Sequence, residues 1–196
     1  MAFVPRIDKL VRTVAPEDLL NLDEAKAHLR VDGTDEDSYI QSLIKTAVSV
    51  LDGFYGKCGH ALVTQTWKKT FYPCNFVRIE LEIPNVQTLV TLKYYDTSNT
   101  LITANVSDWE LAADTDEAYI WPKSGTFPTL YYRWDAMQIE FTTGYGAPED
   151  VPAEIKHAAL LILADFYEKR EGGQLSENVE SAVNALIGQR KYGFIG

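Results

Sequence analysis

The chain has 196 residues, 46% of them hydrophobic and 12% aromatic, a composition that belongs to a folded protein and excludes a disordered one. Its 28 acidic against 18 basic residues leave a formal charge of −10, which argues against a nucleic-acid clamp but leaves open a surface that repels DNA and lets it slide. No run approaches the ~18 apolar residues that span a membrane, and residues 1–15 carry three basic residues and one acidic residue without the apolar run of a signal peptide.

Residues 1–20 mix Pro5, Pro16, charges and isolated apolar side chains without a sustained period, and read as an extended N-terminal arm. So many apolar residues in a tail suggest docking on another chain, with Phe3, Val4, Ile7 and Leu10 as the contact residues. Asn21 with Glu24 three residues on makes a capping box for a first helix, and Leu22, Ala25 and Leu29 fall on one face. Thr34 is expected to cap a second helix, whose first turn gathers Asp35, Glu36 and Asp37 where the helix dipole favours negative charge. Ile40, Leu43, Ile44, Ala47, Val50, Leu51 and Phe54 then repeat at 3.6 residues as far as Gly56. That acidic triplet resembles a metal or acid–base cluster, but helix-start chemistry accounts for it.

Residues 61–146 change character. β-branched and aromatic residues fill 61–71, and strict alternation over 78–83 stops at Pro84. A strand at 86–95 turns at Asp96-Thr-Ser-Asn99 into a return strand at 100–103. Further strands are expected at 109–111, 119–121 and 137–141, and short strands of this number fit a small sandwich or barrel. All four tryptophans (Trp67, Trp109, Trp121, Trp134) lie here; such a cluster makes either a β-domain core or a sugar-stacking surface, and core is the commoner use.

Helix returns after Pro148. Pro152 opens a third helix at its first turn, and Ile155, Ala158, Ala159, Ile162, Leu163, Phe166 and Tyr167 give it a broad apolar face. Ser176 is expected to cap a fourth, with Val179, Ala182, Val183, Leu186 and Ile187 facing the core. Each terminal pair of helices carries one apolar stripe that it cannot bury alone. The fold class expected is therefore α+β: a helical bundle formed by residues 21–60 and 147–188, with 61–146 inserted as a small antiparallel β-sandwich or barrel-like module. A basic and aromatic tail, 189–196, completes the chain.

Chemistry is sparse. The sequence has no Gly-rich phosphate loop, no His-Glu-x-x-His, no Gly-x-Ser-x-Gly and no Cys-x-x-Cys. His28, His60 and His157 are scattered, and Cys58 and Cys74 are expected as reduced thiols in an intracellular compartment. Cys58-Gly-His60 lacks a second ligand pair, so neither a metal nor another cofactor is expected. A carboxylate-pair hydrolase is one alternative that 28 acidic residues leave open, and a carbohydrate-binding module is another.

An ordered series of short motifs points elsewhere. Leu22-Asp-Glu-Ala-Lys-Ala-His-Leu-Arg-Val31 is followed by Asp35-Glu-Asp37 and Ile40-x-x-Leu-Ile44. Then come Gly59-His-Ala-Leu-Val-Thr-Gln-Thr-Trp67, Leu81-x-Ile-Pro84 with Val86, Tyr94-Tyr-Asp96 and Trp121-Pro122. Phe141-Thr-Thr-Gly-Tyr145, Val151-Pro-x-x-Ile155 and Phe166-Tyr-Glu-Lys-Arg-Glu171 close the set. In this order they resemble the head–tail connector (adaptor) proteins of long-tailed phages and their relatives in prophages and gene transfer agents, over about residues 21–190.

The resemblance implies a non-enzymatic homo-oligomeric ring, usually twelve-fold, located in the virion neck after assembly in the host cytoplasm. Such a ring docks under the portal protein, offers a platform to a downstream neck, stopper or tail protein, and lets DNA through its channel without sequence-specific binding. The helical bundle would form the ring wall, and the tail would reach the portal, with Tyr192, Phe194 and Ile195 filling pockets while Arg190 and Lys191 meet acidic groups. The nearest alternative is another neck component, a stopper or tail-completion protein.

Overall fold

Hydrogen bonds and apolar burial sort the chain into two units in the computed structural model, which describes residues 9–73, 77–114, 117–169 and 174–188. One unit is Glu17–Val63 with Tyr145–Gly196; the other is Met1–Pro16 with Thr64–Gly144. Among the described residues the chain is α+β, with four α-helices and eight strands, and no helix is long and apolar enough to cross a membrane.

The first unit is helical: α1 (Leu22–Leu29), α2 (Asp37–Leu51), α3 (Ala153–Lys169) and α4 (Glu177–Ile187). The capping box at α1 forms, with the Glu24 N–H donating to Asn21 Oδ1 at 2.8 Å and the Asn21 N–H donating to Glu24 Oε2 at 3.2 Å. Eight residues are too few for an independent helix, so α1 depends on burying Ala25 in the shared core. The core joins Ile40, Ile44, Ala47 and Leu51 of α2 to Ile155, Ala158, Ala159, Ile162 and Leu163 of α3 and Val183 and Ile187 of α4. The isoleucine, leucine and valine side chains among these contribute about 1.5–3 kcal/mol each on full burial, so packing outweighs every surface contact in the unit. The ion pairs Lys26–Asp37 and Lys57–Glu180, each 2.6 Å, are partly solvated and add little.

Two expected caps are absent. Thr34 accepts the Asp37 N–H through its backbone carbonyl, and α2 begins after Glu36 with no side-chain cap. The Ser176 hydroxyl donates to the Asp165 carboxylate of α3, and so tethers α4 to α3 instead of capping it. Burial pushes the Asp165 carboxyl up, but the Ser176 bonds and Lys169, 3.0 Å away, outweigh it and hold it below the usual range.

The unit boundaries also differ from expectation by a few residues. Leu19 and Leu20, assigned to the arm, are buried in the helical core, as are Leu62 and Val63. The Tyr145 N–H donates to the Leu62 carbonyl at 2.8 Å, Val63 bridges Gly146 in parallel, and the Leu62 N–H donates to Asp52 Oδ1 at 2.9 Å. Chain exit and chain return are therefore stitched together inside the helical unit. Gly146 is required there: its φ is +142°, and an added Cβ would lie 2.2 Å from Asp150 Oδ2.

The second unit holds β1 (Lys9–Val14), β2 (Gln65–Phe71), β3 (Ile79–Glu80), β4 (Val86–Tyr95), β5 (Leu101–Ala104), β6 (Trp109–Ala113), β7 (Ala118–Pro122) and β8 (Met137–Thr143). They form a five-stranded sheet ordered β1-β2-β8-β4-β5 and a three-stranded sheet ordered β3-β7-β6, antiparallel throughout. The arm thus supplies an edge strand, with Lys9 opposite Thr70 and Leu10 opposite Lys69. Its alternation was hidden because most of its side chains are exposed. The alternating run at 78–83 yields only the two-residue β3, because Glu82 turns into the left-handed region with φ +60°.

The inner face of β2 explains that turn. Lys69 is fully buried, donates to the Glu80 carbonyl at 3.0 Å and pairs with Glu82 Oε2 at 2.7 Å, with the Phe71 ring 5.1 Å from its ammonium. A buried ammonium needs this partner. Replacing Glu82 with Ala is expected to lower stability of the β unit by about 2 kcal/mol, below the ~3–5 of a fully buried pair because Glu82 keeps solvent contact. Adding Lys69→Met should recover most of the loss; urea unfolding measures both.

His60, also buried, faces the Cys58 carbonyl through Nδ1 at 2.9 Å and the Tyr145 hydroxyl through Nε2 at 3.1 Å. Burial lowers its pKa below the ordinary 6.5, and His28, desolvated and set against the His157 ring at 6.3 Å, shifts the same way. The folded state therefore binds fewer protons than the unfolded one. Stability from these groups is complete above the ordinary value of 6.5 and declines as pH falls from there through the lowered folded values. Thermal unfolding scans from pH 7.5 to 5 should show this decline, with a shallower slope in His60→Gln.

Candidate docking surface

The candidate contact residues of the tail (Arg190, Lys191, Tyr192, Phe194, Ile195), and Phe3, Val4 and Ile7 of the arm, lie outside the described residues. Leu10 is half-buried on β1. Cys74 also lies outside, and Cys58 is buried in the helical core.

The structure adds a surface absent from the expectations above, the segment Tyr131-Tyr-Arg-Trp134. Its anchor is the β4–β5 hairpin. Asp96 Oδ1 accepts from the Ser98 and Thr100 N–H groups, both at 2.9 Å, and Asn99 occupies the left-handed position with φ +60°. Tyr95 at the end of β4 takes a hydrogen bond from the Tyr131 N–H and gives one to the Ala136 carbonyl, each 2.9 Å, which lays residues 131–136 along the strand end.

Arg133 fixes the segment further. Its guanidinium forks onto both carboxylate oxygens of Asp135, reaches Asn99 Oδ1 at 3.0 Å and lies 3.6 Å from the Tyr95 ring centroid. The Asp135 hydrogen bond raises the Arg133 pKa further, so its charge is permanent and locally neutralised. What remains for solvent is aromatic: Tyr132 is 70% exposed, Trp134 55% and Tyr131 41%. Tyr132 stands edge-on to Tyr72 with centroids 4.8 Å apart. Tyrosine, tryptophan and arginine held rigid at a surface are the residues that carry binding energy at protein interfaces. Their clustering in four consecutive positions was the available signal in the sequence.

The tryptophans divide. Trp67 and Trp109 are core, as expected of a β domain, whereas Trp134 is a surface residue. A cleft of about 610 Å³ opens among Tyr94, Asn105, Asp108, Trp109, Lys123 and Phe127. Its cation is engaged, since Lys123 Nζ donates to the Ser107 carbonyl at 2.9 Å, and Trp109 meets Phe127 edge-on at 5.6 Å with its own surface almost wholly covered.

Among the described residues of the helical unit one aromatic projects. Tyr55 is 86% exposed beyond α2, backed edge-on by Phe54 at 5.0 Å. The turn beneath is pinned by the Gly53 N–H to the His60 carbonyl at 2.9 Å and the Lys57 N–H to the Val50 carbonyl at 2.8 Å. Gly56 is indispensable in it, because a Cβ would lie 2.4 Å from the Leu51 and Asp52 carbonyl oxygens.

Comparison with known proteins gives a consistent result. The sequence profile of the head completion protein family (HCP) matches residues 18–182. No curated protein matches the chain at a significant level. Among solved structures, a chain from the neck of an empty GTA particle computed with C6 symmetry superposes with a TM-score of 0.79 at 21% identity, covering 96% of this chain and 97% of that one. A chain from the virion of a native gene transfer agent (GTA) particle gives 0.76 at 22% identity, over 95% and 97%. A third, from the neck of a native GTA particle computed with C12 symmetry, gives 0.70 at 21% identity, over 96% and 97%. At these identities the likeness is one of fold.

Proposed function

The chain belongs to the head completion protein family, and from that membership we propose that it is a structural, non-enzymatic component of the neck that joins a DNA-filled head to a tail. In this reading identical copies close into a ring beneath the portal, the helical units form its wall, and the next neck or tail protein binds the completed ring. The observation that carries the reading is the agreement of family and fold: the profile covers 18–182, and chains of this fold occur in GTA neck structures computed with C6 and C12 symmetry.

The physical chemistry of the chain suits the task. A formal charge of −10 per copy, repeated around a channel, repels phosphate and leaves DNA free to pass. Rigid aromatic groups at Tyr55 and at residues 131–134 supply contact points for a multi-protein assembly. The tail at 189–196, whose Arg190 and Lys191 stand out in an acidic protein, serves as the portal-docking element.

The test is assembly with and without the chain. Particles made in its absence should appear in negative stain as filled heads without tails, and added protein should restore joining. A chain ending at Gly188 should keep the circular dichroism of the full chain yet fail to join. Normal tailed particles in its absence would refute the neck role. The adaptor position further requires the purified chain to bind portal-bearing heads directly; binding only after another neck protein has attached would assign it instead to the stopper or completion layer.

A further inference from the structure

The strand registers gather three lysines of the β unit on one face. Lys68 and Thr70 alternate along β2 with the buried Trp67, Lys69 and Phe71, so they stand on the opposite, outer side of the five-stranded sheet. Pairing carries that outer side across all five strands. One row runs Lys9, Thr70, Gln138, Lys93, Thr103, and the next runs Val11, Lys68, Glu140, Thr91. Lys9 and Thr103 are exposed, and Lys68, Gln138 and Lys93 are half-buried. Among the described residues none of Lys9, Lys68 and Lys93 has an ion pair. Glu140, the single carboxylate in the two rows, accepts from the Thr91 hydroxyl at 3.0 Å.

The other unit carries the opposite charge. It holds 17 acidic against 9 basic residues, a net −8, whereas the β unit holds 11 against 9, a net −2. Asp32, Asp35, Glu149 and Glu154 of the helical unit are exposed and likewise without an ion pair among the described residues. Resting on the ring reading above, we propose that the lysine-bearing face of the five-stranded sheet receives the acidic helical unit of a neighbouring copy.

A ring of identical copies needs two different surfaces that fit each other, because a heterologous contact is the kind that repeats around an axis. Unpaired lysines on one unit and a net −8 on the other make such a pair within one chain. Like faces set against each other would bring lysine to lysine or carboxylate to carboxylate, so the same pattern opposes a two-fold dimer through either surface. Aromatic groups adjoin the lysines. Tyr95 follows Lys93 on the same side of β4, opposite Leu101, which is 45% exposed, and the Arg133 guanidinium on its ring leads to Tyr132 and Trp134. Charge orients the encounter, and the rings add contact that salt does not screen. DNA is the other polyanion at hand, but three lysines around a carboxylate are a sparse phosphate track on a chain of net −10.

Cross-linking of particles that carry the chain tests this. Formaldehyde, which joins neighbouring copies through nearby amines, should give products of two and more copies, as the ring reading requires. Their absence would remove that reading and this inference with it. A carbodiimide, which joins lysine directly to carboxylate, should also give the two-copy product. Mass spectrometry of that product should find junctions, missing from the single-copy band, between Lys9, Lys68 or Lys93 and carboxylates of the helical unit. Lys68→Gln combined with Lys93→Gln should lower the carbodiimide yield several-fold without changing the circular dichroism; if that variant misfolds, the junctions in the unaltered chain decide. A formaldehyde ladder without a carbodiimide product, or with junctions only at other residues, would overturn the inference and leave the ring standing. Lysines blocked from acetylation in filled particles and freed once the DNA is expelled would assign the face to DNA, and would overturn it as well.

Discussion

The helical unit depends on α3 having an apolar surface too wide for one partner. Ile155, Ala158, Ala159, Ile162 and Leu163 are all fully buried, and the residues that bury them come from α1 and α2 near one end of the chain and α4 near the other. α1 and α4, at 8 and 11 residues, are too short to be stable alone in water, and the longer α2 and α3 draw most of their stability from packing their apolar faces. The first quarter and the last quarter of the sequence must therefore meet before either is stable. The alanines at 47, 158 and 159 keep the α2–α3 contact close, and the backbone stitch between Leu62 and Tyr145 fixes where the intervening 81 residues, Thr64–Gly144, leave and return.

Buried and partly buried charge serves the β unit in a different way. Lys69 holds Glu82 in a left-handed turn, and Arg133 ties the 131–136 segment to the hairpin at Asn99. Neither ion pair is needed for hydrophobic burial. Both set the path of a loop. The edges of the five-stranded sheet are managed as well: β1 carries Lys9 and Arg12 and a register shift between Arg12 and Val14, while β5 is only four residues long.

Much of this was legible in the sequence where one period or one motif dominates. The Asn21–Glu24 capping box, the 3.6-residue stripe of α2 and the strand at Val86–Tyr95 with its Asp96–Asn99 turn follow directly from residue type and spacing. The ordered motif series was enough to recognise the family. The failures share a cause: a side chain with two competing partners. Ser176 resembles an N-cap until Asp165 of α3 is within reach, and Glu82 resembles a strand residue until Lys69 needs a counter-charge. β1 escaped notice because an edge strand exposed on most of its length lacks the burial that writes alternation into a sequence. Trp134 was grouped with core tryptophans because composition does not show which ring lies beside Arg133 and which beneath a sheet.

The proposed neck role requires this chain to act as one of many identical copies around an axis through which DNA passes. The most direct measurement is an averaged electron cryo-microscopy image of the neck in particles carrying the chain with a small tag. A closed ring of equivalent tagged densities surrounding an open channel at the head–tail junction is the expected result. A tag found along the tail tube or the capsid lattice, or a single off-axis copy, would contradict the account.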